Sequence, residues 1–310
     1  MCETENFSFL SADGIHQIQC RLWLPACPPR GVVQIVHGVA EHMGRYEDTA
    51  RFLTGHGFAV CGEDHLGHGR TASDGKYGYF GPKNGWSLLV RDIAQLRQRM
   101  GRRFPGIPYF ILGHSMGSFL TRTYLIQYPG TVHGAILSGT GQEAPALVSM
   151  GQALSALLCR LKGPDYVSDL VYSLSLGNYN RPFRPNRTDS DWLSRDEASV
   201  DTFLADPLCG FHPTVGMFRD MLGGIRFIGA PCNVAKMDPA TPVLFLSGDR
   251  DPVGSMGAGV QRVAKLFTDA GCRSLSVKLY PGARHEILNE INRREVWDDL
   301  LRWLEKNLSL

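Results

Sequence analysis

Long apolar runs are missing from this 310-residue chain, and none approaches the roughly 18 residues that a membrane-spanning helix requires. No block of basic residues stands out either. Thirty-two Lys and Arg stand against thirty Asp and Glu, a formal charge of +2 that gives nucleic acid little electrostatic hold. The eight cysteines are scattered, with no Cys-x-x-Cys pair and no dense framework. The start, MCETENFSFLSADG, has no cationic stretch followed by an apolar one, so a secretory signal is not expected. Cys2 lacks the preceding apolar stretch of a lipoprotein signal. Reduced thiols in a cytoplasmic protein are therefore the expectation.

What the chain does have is alternation. Two strands are predicted near Phe7–Leu10 and Gln17–Leu24, joined by the turn Ala12-Asp13-Gly14. Beyond PACPPRG the short apolar runs VVQIVHG, FAVCGED, YFILGHS and GAILSGT are separated by helical patterns at Tyr46–Gly55, Trp86–Arg103 and Met116–Tyr128. Buried strands alternating with helices indicate an α/β protein with a mostly parallel sheet covered on both faces. The rhythm stops near Gly141 and resumes with TPVLFLSGD, a helix near Gly259–Ala270, the strand SLSVKLYPG and a last helix over Arg293–Leu308.

The expected division is a core of residues 1–140 and 239–310 with a helical cap, 141–238, inserted over the strand ends. That insertion is too long to be a plain loop. Within it Leu147, Met150, Leu154, Leu157 and Leu161 share one helical face, for which packing against the sheet is the favoured role. Lining a lipid tunnel and docking on a membrane surface are the alternatives, and any exposed remainder could touch lipid aggregates. Ser194, three residues before Glu197, is placed to open a helix as a capping box.

The stretch Ile111–Phe119, ILGHSMGSF, holds a serine between two glycines where a strand hands over to a helix. A sharp turn there lifts the side chain of Ser115 out of the sheet, and the flanking glycines avoid collisions with neighbouring elements. A serine nucleophile needs a base and a group to orient that base. In this architecture the order is serine, acid, histidine. His285, just past the final strand, is the expected base, and His212 in the cap is a surface or packing residue. In LFLSGDRDPV the acid is Asp251, far enough into the loop to reach sideways, with Asp249 holding the loop together. An oxyanion then needs two N–H donors, expected from Met116 and from Val39 in the loop after VVQIVHG. His37 in that loop is expected to be a structural hydrogen bonder.

Taken together, VHGVAEHMGRY (36–46), GEDHLGHGRT (62–71), GHSMGS (113–118), SGDRDPV (247–253) and GARHEI (282–287) make the chain resemble the monoacylglycerol lipase and lysophospholipase branch of the α/β-hydrolases. The likeness spans nearly the whole chain. It implies an α/β-hydrolase fold with an inserted cap that forms an apolar channel for an acyl chain. It also implies Ser115, Asp251 and His285 as the triad with Val39 and Met116 as the oxyanion hole, and no cofactor. Glu41 and Arg45 fall where similar enzymes shape the polar end of the site, or else form a salt bridge that stiffens the loop. His65 and His68 have a loop role in that family, and two histidines alone make a poor metal site.

The implied activity is hydrolysis of a small-molecule carboxylic ester with an acyl chain and a small polar head. The alternatives are a peptidase of the proline-iminopeptidase type and a catalytically silent binding protein. The peptidases usually carry a second glycine and a proline after the first His-Gly, where this chain reads HGVAEH.

Overall fold

The computed structural model describes residues 3–308, so Cys2 lies outside the described residues. In chain order the elements begin with β1 (Glu3–Leu10), β2 (Gln17–Leu24), β3 (Gly31–Val36), α1 (Glu47–Gly55), β4 (Phe58–Glu63), α2 (Gly85–Arg103) and β5 (Tyr109–His114). They continue with α3 (Met116–Gln127), β6 (Gly134–Ser138), α4 (Pro145–Lys162), α5 (Asp169–Leu174), α6 (Glu197–Ala205), α7 (Val215–Ile228) and α8 (Pro231–Val234). Finally come β7 (Val243–Gly248), α9 (Ala258–Asp269), β8 (Leu275–Tyr280) and α10 (Arg293–Lys306).

Eight strands form one sheet in the order β1-β2-β4-β3-β5-β6-β7-β8. The first two are antiparallel additions, with Leu10 opposite Gln17 and Leu22 opposite Cys61. From β4 to β8 every neighbouring pair is parallel. Strands β3 to β7 are buried along their whole length, which is why their sequences are continuous apolar runs rather than alternating ones. One apolar layer joins the sheet to α2, α3, α7 and α9, and a second joins its other face to α1 and α10. Chain direction across the sheet reverses between β3 and β5. The ends of two neighbouring strands diverge there into loops, the place where open α/β sheets hold their ligands.

The insertion between β6 and β7 contributes α4 to α8. Its α7 buries Val215, Met217, Phe218 and Ile225 in the same layer as α2 and α3, so the segment is anchored to the core and does not merely rest on strand ends. Two expectations are corrected here. The leucine stripe of α4 is largely unpacked: only Leu154 is half-buried against the core layer, Met150 is 66% and Leu161 68% exposed, Leu147 and Leu157 are also exposed, and the buried residues of this helix are Val148 and Ser155. Nor does Ser194 cap α6. Asp196 does, accepting from the N–H groups of Ala198 and Ser199, while the Ser194 hydroxyl is turned away to donate to the carbonyl of Asn289. Of the described residues, no helix is long and apolar enough to cross a membrane, and all seven described cysteines are unpaired.

Candidate active site

Four of the parallel strands deliver the site from their C-terminal ends. The loop after β3 carries Gly38 to Tyr46, β5 runs directly into Ser115, β7 leads to Asp251, and β8 leads to His285. Ser115 has φ 53° and ψ −122°, a backbone region costly for any residue with a side chain. The turn is held from both sides, because Ser115 N–H donates to the Ser138 carbonyl at 2.9 Å and the Ser118 hydroxyl donates to the Ser115 carbonyl at 2.6 Å. The serine side chain does not cap α3.

The glycines of the motif are required by close approach. A Cβ on Gly117 would lie 1.9 Å from the carbonyl oxygen of Val36, and one on Gly113 would lie 2.4 Å from that of Gly117. Helix α3 is thereby pressed onto the end of β3, beside the loop that carries Val39. Gly117→Ala is expected to lower stability by about 3 kcal/mol through this overlap with rigid backbone. Thermal or urea denaturation reads it, and a variant as stable as the parent would show that the approach is looser than described.

The His285 ring is 1% exposed and Asp251 is fully buried. Nδ1 of His285 lies 2.9 Å from Oδ1 of Asp251, an oxygen that also accepts from the Val253 N–H at 2.9 Å. An ionised carboxylate only accepts, so Nδ1 carries the hydrogen and Nε2 keeps its lone pair. That Nε2 is buried and without a hydrogen-bond partner, so no direct bond joins it to the Ser115 hydroxyl, although both residues line the same cavity. Burial alone would push the His285 pKa down. The Asp251 carboxylate outweighs it and holds the ring above the ordinary histidine value. His114, with its ring centroid 4.7 Å from that of His285, goes the other way: burial and the neighbouring imidazole push it to about 4, leaving it neutral near pH 7.

Asp249 takes the supporting place expected of it, accepting from the Gly282 N–H at 2.7 Å. The N–H of Met116 is the first of α3 and has no carbonyl one helical turn earlier to receive it. Val39, like Ser115, lines two cavities, and Met116 lines one of them. One, of about 640 Å³, is walled largely by polar side chains, among them Glu41, His114, Asn178 and His285. The other, of about 490 Å³, is apolar, walled by Phe119, Leu147, Val148, Leu154, Phe218 and Leu222. Ser115 sits where the two meet. The exposed leucine face of α4 is thus in part the wall of the apolar cavity.

Glu41 and Arg45 form a network that the sequence reading only half anticipated. Arg45 is bidentate to Glu286 at 2.6 and 2.7 Å and reaches Glu41 at 3.0 Å. Glu41 also accepts from the Gly38 N–H at 2.6 Å and the Tyr46 hydroxyl at 2.8 Å. Burial would raise the Glu286 pKa, but the guanidinium prevails and takes it to about 2. Of the two residues expected at the polar end, Glu41 lines the cavity, whereas Arg45 stands behind it, committed to its carboxylates and to the face of Phe203. Glu286 was missed, although its position directly after the candidate base was a usable signal. The pairing ties the loop of Val39 to the loop of His285.

The expected structural roles of the other histidines have visible counterparts. His37 Nε2 accepts from the His65 N–H at 3.1 Å, its Nδ1 lies 2.7 Å from the Gly38 carbonyl, and burial pushes His68 to about 3. His212 stacks on Tyr172 at the outer wall of the polar cavity. A segment of the insertion between β6 and β7 clasps the histidine loop. His285 and Glu286 donate their N–H groups to the carbonyls of Trp192 and Leu193, and the Trp192 ring lies 5.0 Å from that of His285. Nothing in the sequence marked Trp192.

Comparison with known proteins adds three kinds of likeness. The family model described as serine aminopeptidase, S33, matches residues 27–292. A monoacylglycerol lipase of Mycolicibacterium smegmatis is 31% identical over 97% of this chain and 97% of its own, and the human monoglyceride lipase is 29% identical over 97% and 90%. The crystal structure of a highly thermostable carboxyl esterase from Bacillus coagulans, in complex with glycerol, superposes with a TM-score of 0.92 at 30% identity, covering 98% of this chain and 99% of that one.

Proposed function

The chain belongs to the serine aminopeptidase S33 family, on its monoacylglycerol lipase branch, and hydrolyses carboxylic esters; we propose that Ser115, His285 and Asp251 carry that reaction through an acyl-enzyme. The observation that supports this most is the hydrogen-bonded pair of His285 and Asp251, with the free Nε2 and the strained Ser115 facing one cavity. His285 removes the hydroxyl proton as Ser115 Oγ bonds to the ester carbonyl carbon, and Asp251 stabilises the resulting imidazolium. The N–H groups of Val39 and Met116 receive the oxyanion. His285 then gives its proton to the departing alcohol as the ester C–O bond breaks. Water, deprotonated by the same ring, cleaves the acyl-enzyme and restores Ser115.

In this reading the acyl chain lies in the apolar cavity under α4 and the alcohol in the polar one. Residues 141–238 act as the cap. Its exposed Leu147, Met150, Leu157 and Leu161 touch lipid aggregates transiently, which brings a poorly soluble ester to the cavity mouth.

A series of monoacylglycerols of rising chain length tests the assignment of the two cavities. Each added methylene is expected to raise kcat/KM by up to about fourfold until the apolar cavity is filled, from roughly 0.8 kcal/mol per buried methylene. Indifference to chain length would remove the acyl assignment. Turnover of proline-β-naphthylamide in place of monoacylglycerol would favour the peptidase instead.

A further inference from the structure

Arg122 stands on α3 about two turns beyond Ser115 and is fully buried, and among the described residues no carboxylate pairs with it. Burial pushes its pKa down to about 9, so the group is still a cation near pH 7. Taking an ion out of water with no counter-ion is costly, and a core position on a helix is ordinarily filled by an apolar residue. One terminal nitrogen of the guanidinium donates to the Gly141 carbonyl at 2.9 Å. The other donates to the side-chain oxygen of Gln142 at 2.8 Å and to the Ile228 carbonyl at 3.3 Å. Gln142 passes the contact on, its amide donating to the Ile225 carbonyl at 3.3 Å.

These partners belong to separate segments. Gly141 and Gln142 are where the chain leaves β6 for the insertion, and Ile228 is the last residue of α7, a helix end whose free carbonyls and dipole favour a cation. One side chain thus ties the helix of Ser115 to the entry of the insertion and to the end of its anchoring helix. The same segments wall the apolar cavity. Gly141, Gln142, Met221 and Ile225 line it, together with Phe119, one turn before Arg122 on α3. The grip extends to the loop of Asp251. A Cβ on Gly141 would lie 2.2 Å from the Val253 carbonyl oxygen, and the Val253 N–H donates to Oδ1 of Asp251.

We propose that Arg122 is a positioning residue for the acyl chain: it holds residues 141–142 and the end of α7 against α3, and so sets how closely the apolar cavity fits a long acyl group. The proposal rests on the reading above that the acyl chain occupies that cavity. Arg122→Lys tests it, because lysine keeps the charge but carries its donors on one nitrogen and cannot reproduce the planar fork. With the full chain, kcat/KM is measured on p-nitrophenyl acetate and p-nitrophenyl octanoate, at a temperature where circular dichroism finds parent and variant folded.

The parent should prefer the octanoate. In R122K the octanoate-to-acetate ratio should fall by about tenfold, near what a pocket gains from one well-packed methylene, with acetate turnover kept within about twofold. An arginine that merely stabilises the fold would lower the unfolding temperature of R122K and leave that ratio alone, and this result overturns the proposal. Should R122K not fold, R122Q, which has no charge to bury, takes its place with the same expectation. Amide hydrogen exchange on the parent needs no variant. The last turn of α7 should exchange as slowly as α3, and exchange at the rate of a fraying helix end overturns the clamp. A parent that cleaves the acetate yet does not distinguish the octanoate removes the acyl-cavity reading and the proposal with it. A folded parent inert on both esters strikes the hydrolase reading itself, and the proposal falls there too.

Discussion

Ser115→Ala is expected to lower kcat by about five orders of magnitude, on both monoacylglycerol and p-nitrophenyl esters, with the fold intact. Removing the hydroxyl removes the only protein group in the proposed mechanism that bonds to the acyl carbon. What remains is the binding and the two N–H donors, which leave a residual acceleration over water. The fold survives because the contacts that hold the elbow use the main chain of Ser115, whose N–H donates to the Ser138 carbonyl and whose carbonyl accepts from the Ser118 hydroxyl. Alanine meets the same φ of 53° with the same Cβ, so the strain is unchanged. Steady-state rates, circular dichroism and labelling by a fluorophosphonate probe read the result together. Substantial turnover in this variant, or a parent that the probe fails to label, would end the nucleophile assignment.

Asp251→Asn is expected to cost roughly three to four orders of magnitude in kcat, with little loss of stability. An asparagine oxygen in place of Oδ1 still accepts from His285 Nδ1 and Val253, and an amide nitrogen in place of Oδ2 faces the Ser247 hydroxyl, now 3.3 Å away. Shape is kept and charge is lost. The imidazolium that forms as Ser115 attacks then has no counter-charge in direct contact within a buried site.

The pH profile carries the sign of this effect. In the parent, His285 must be neutral to act, and its pKa is held above the ordinary 6.5. Activity is therefore present at higher pH and lost as pH falls through that raised value. Without the carboxylate, burial prevails and the acid limb of kcat/KM moves to lower pH even as the plateau drops. An acid limb that stays in place would mean that Asp251 does not govern His285.

The strands and the elbow were legible in the sequence because their physics is local. A strand buried on both faces needs continuous apolar residues, and a strained serine pressed against a neighbouring strand needs glycine beside it. Reach favoured Asp251 over Asp249, and it is Asp251 that lies 2.9 Å from the His285 ring. Long-range competition was not legible. Ser194 has the spacing of a capping residue, but it faces the histidine loop, and Asp196 takes over the helix end. The α4 stripe has core periodicity, yet its partner is an open cavity and solvent. The pairing of Arg45 with Glu286 joins residues 241 positions apart, beyond any local pattern.

With Ser115 as the proposed nucleophile at the wall shared by two chambers, the two halves of a substrate would have separate exits. Once the alcohol has departed, its chamber becomes the approach by which the next nucleophile reaches the bound acyl group, while the chain beneath α4 stays where it is. On that assignment, a small alcohol added to the medium would compete with water along the same route.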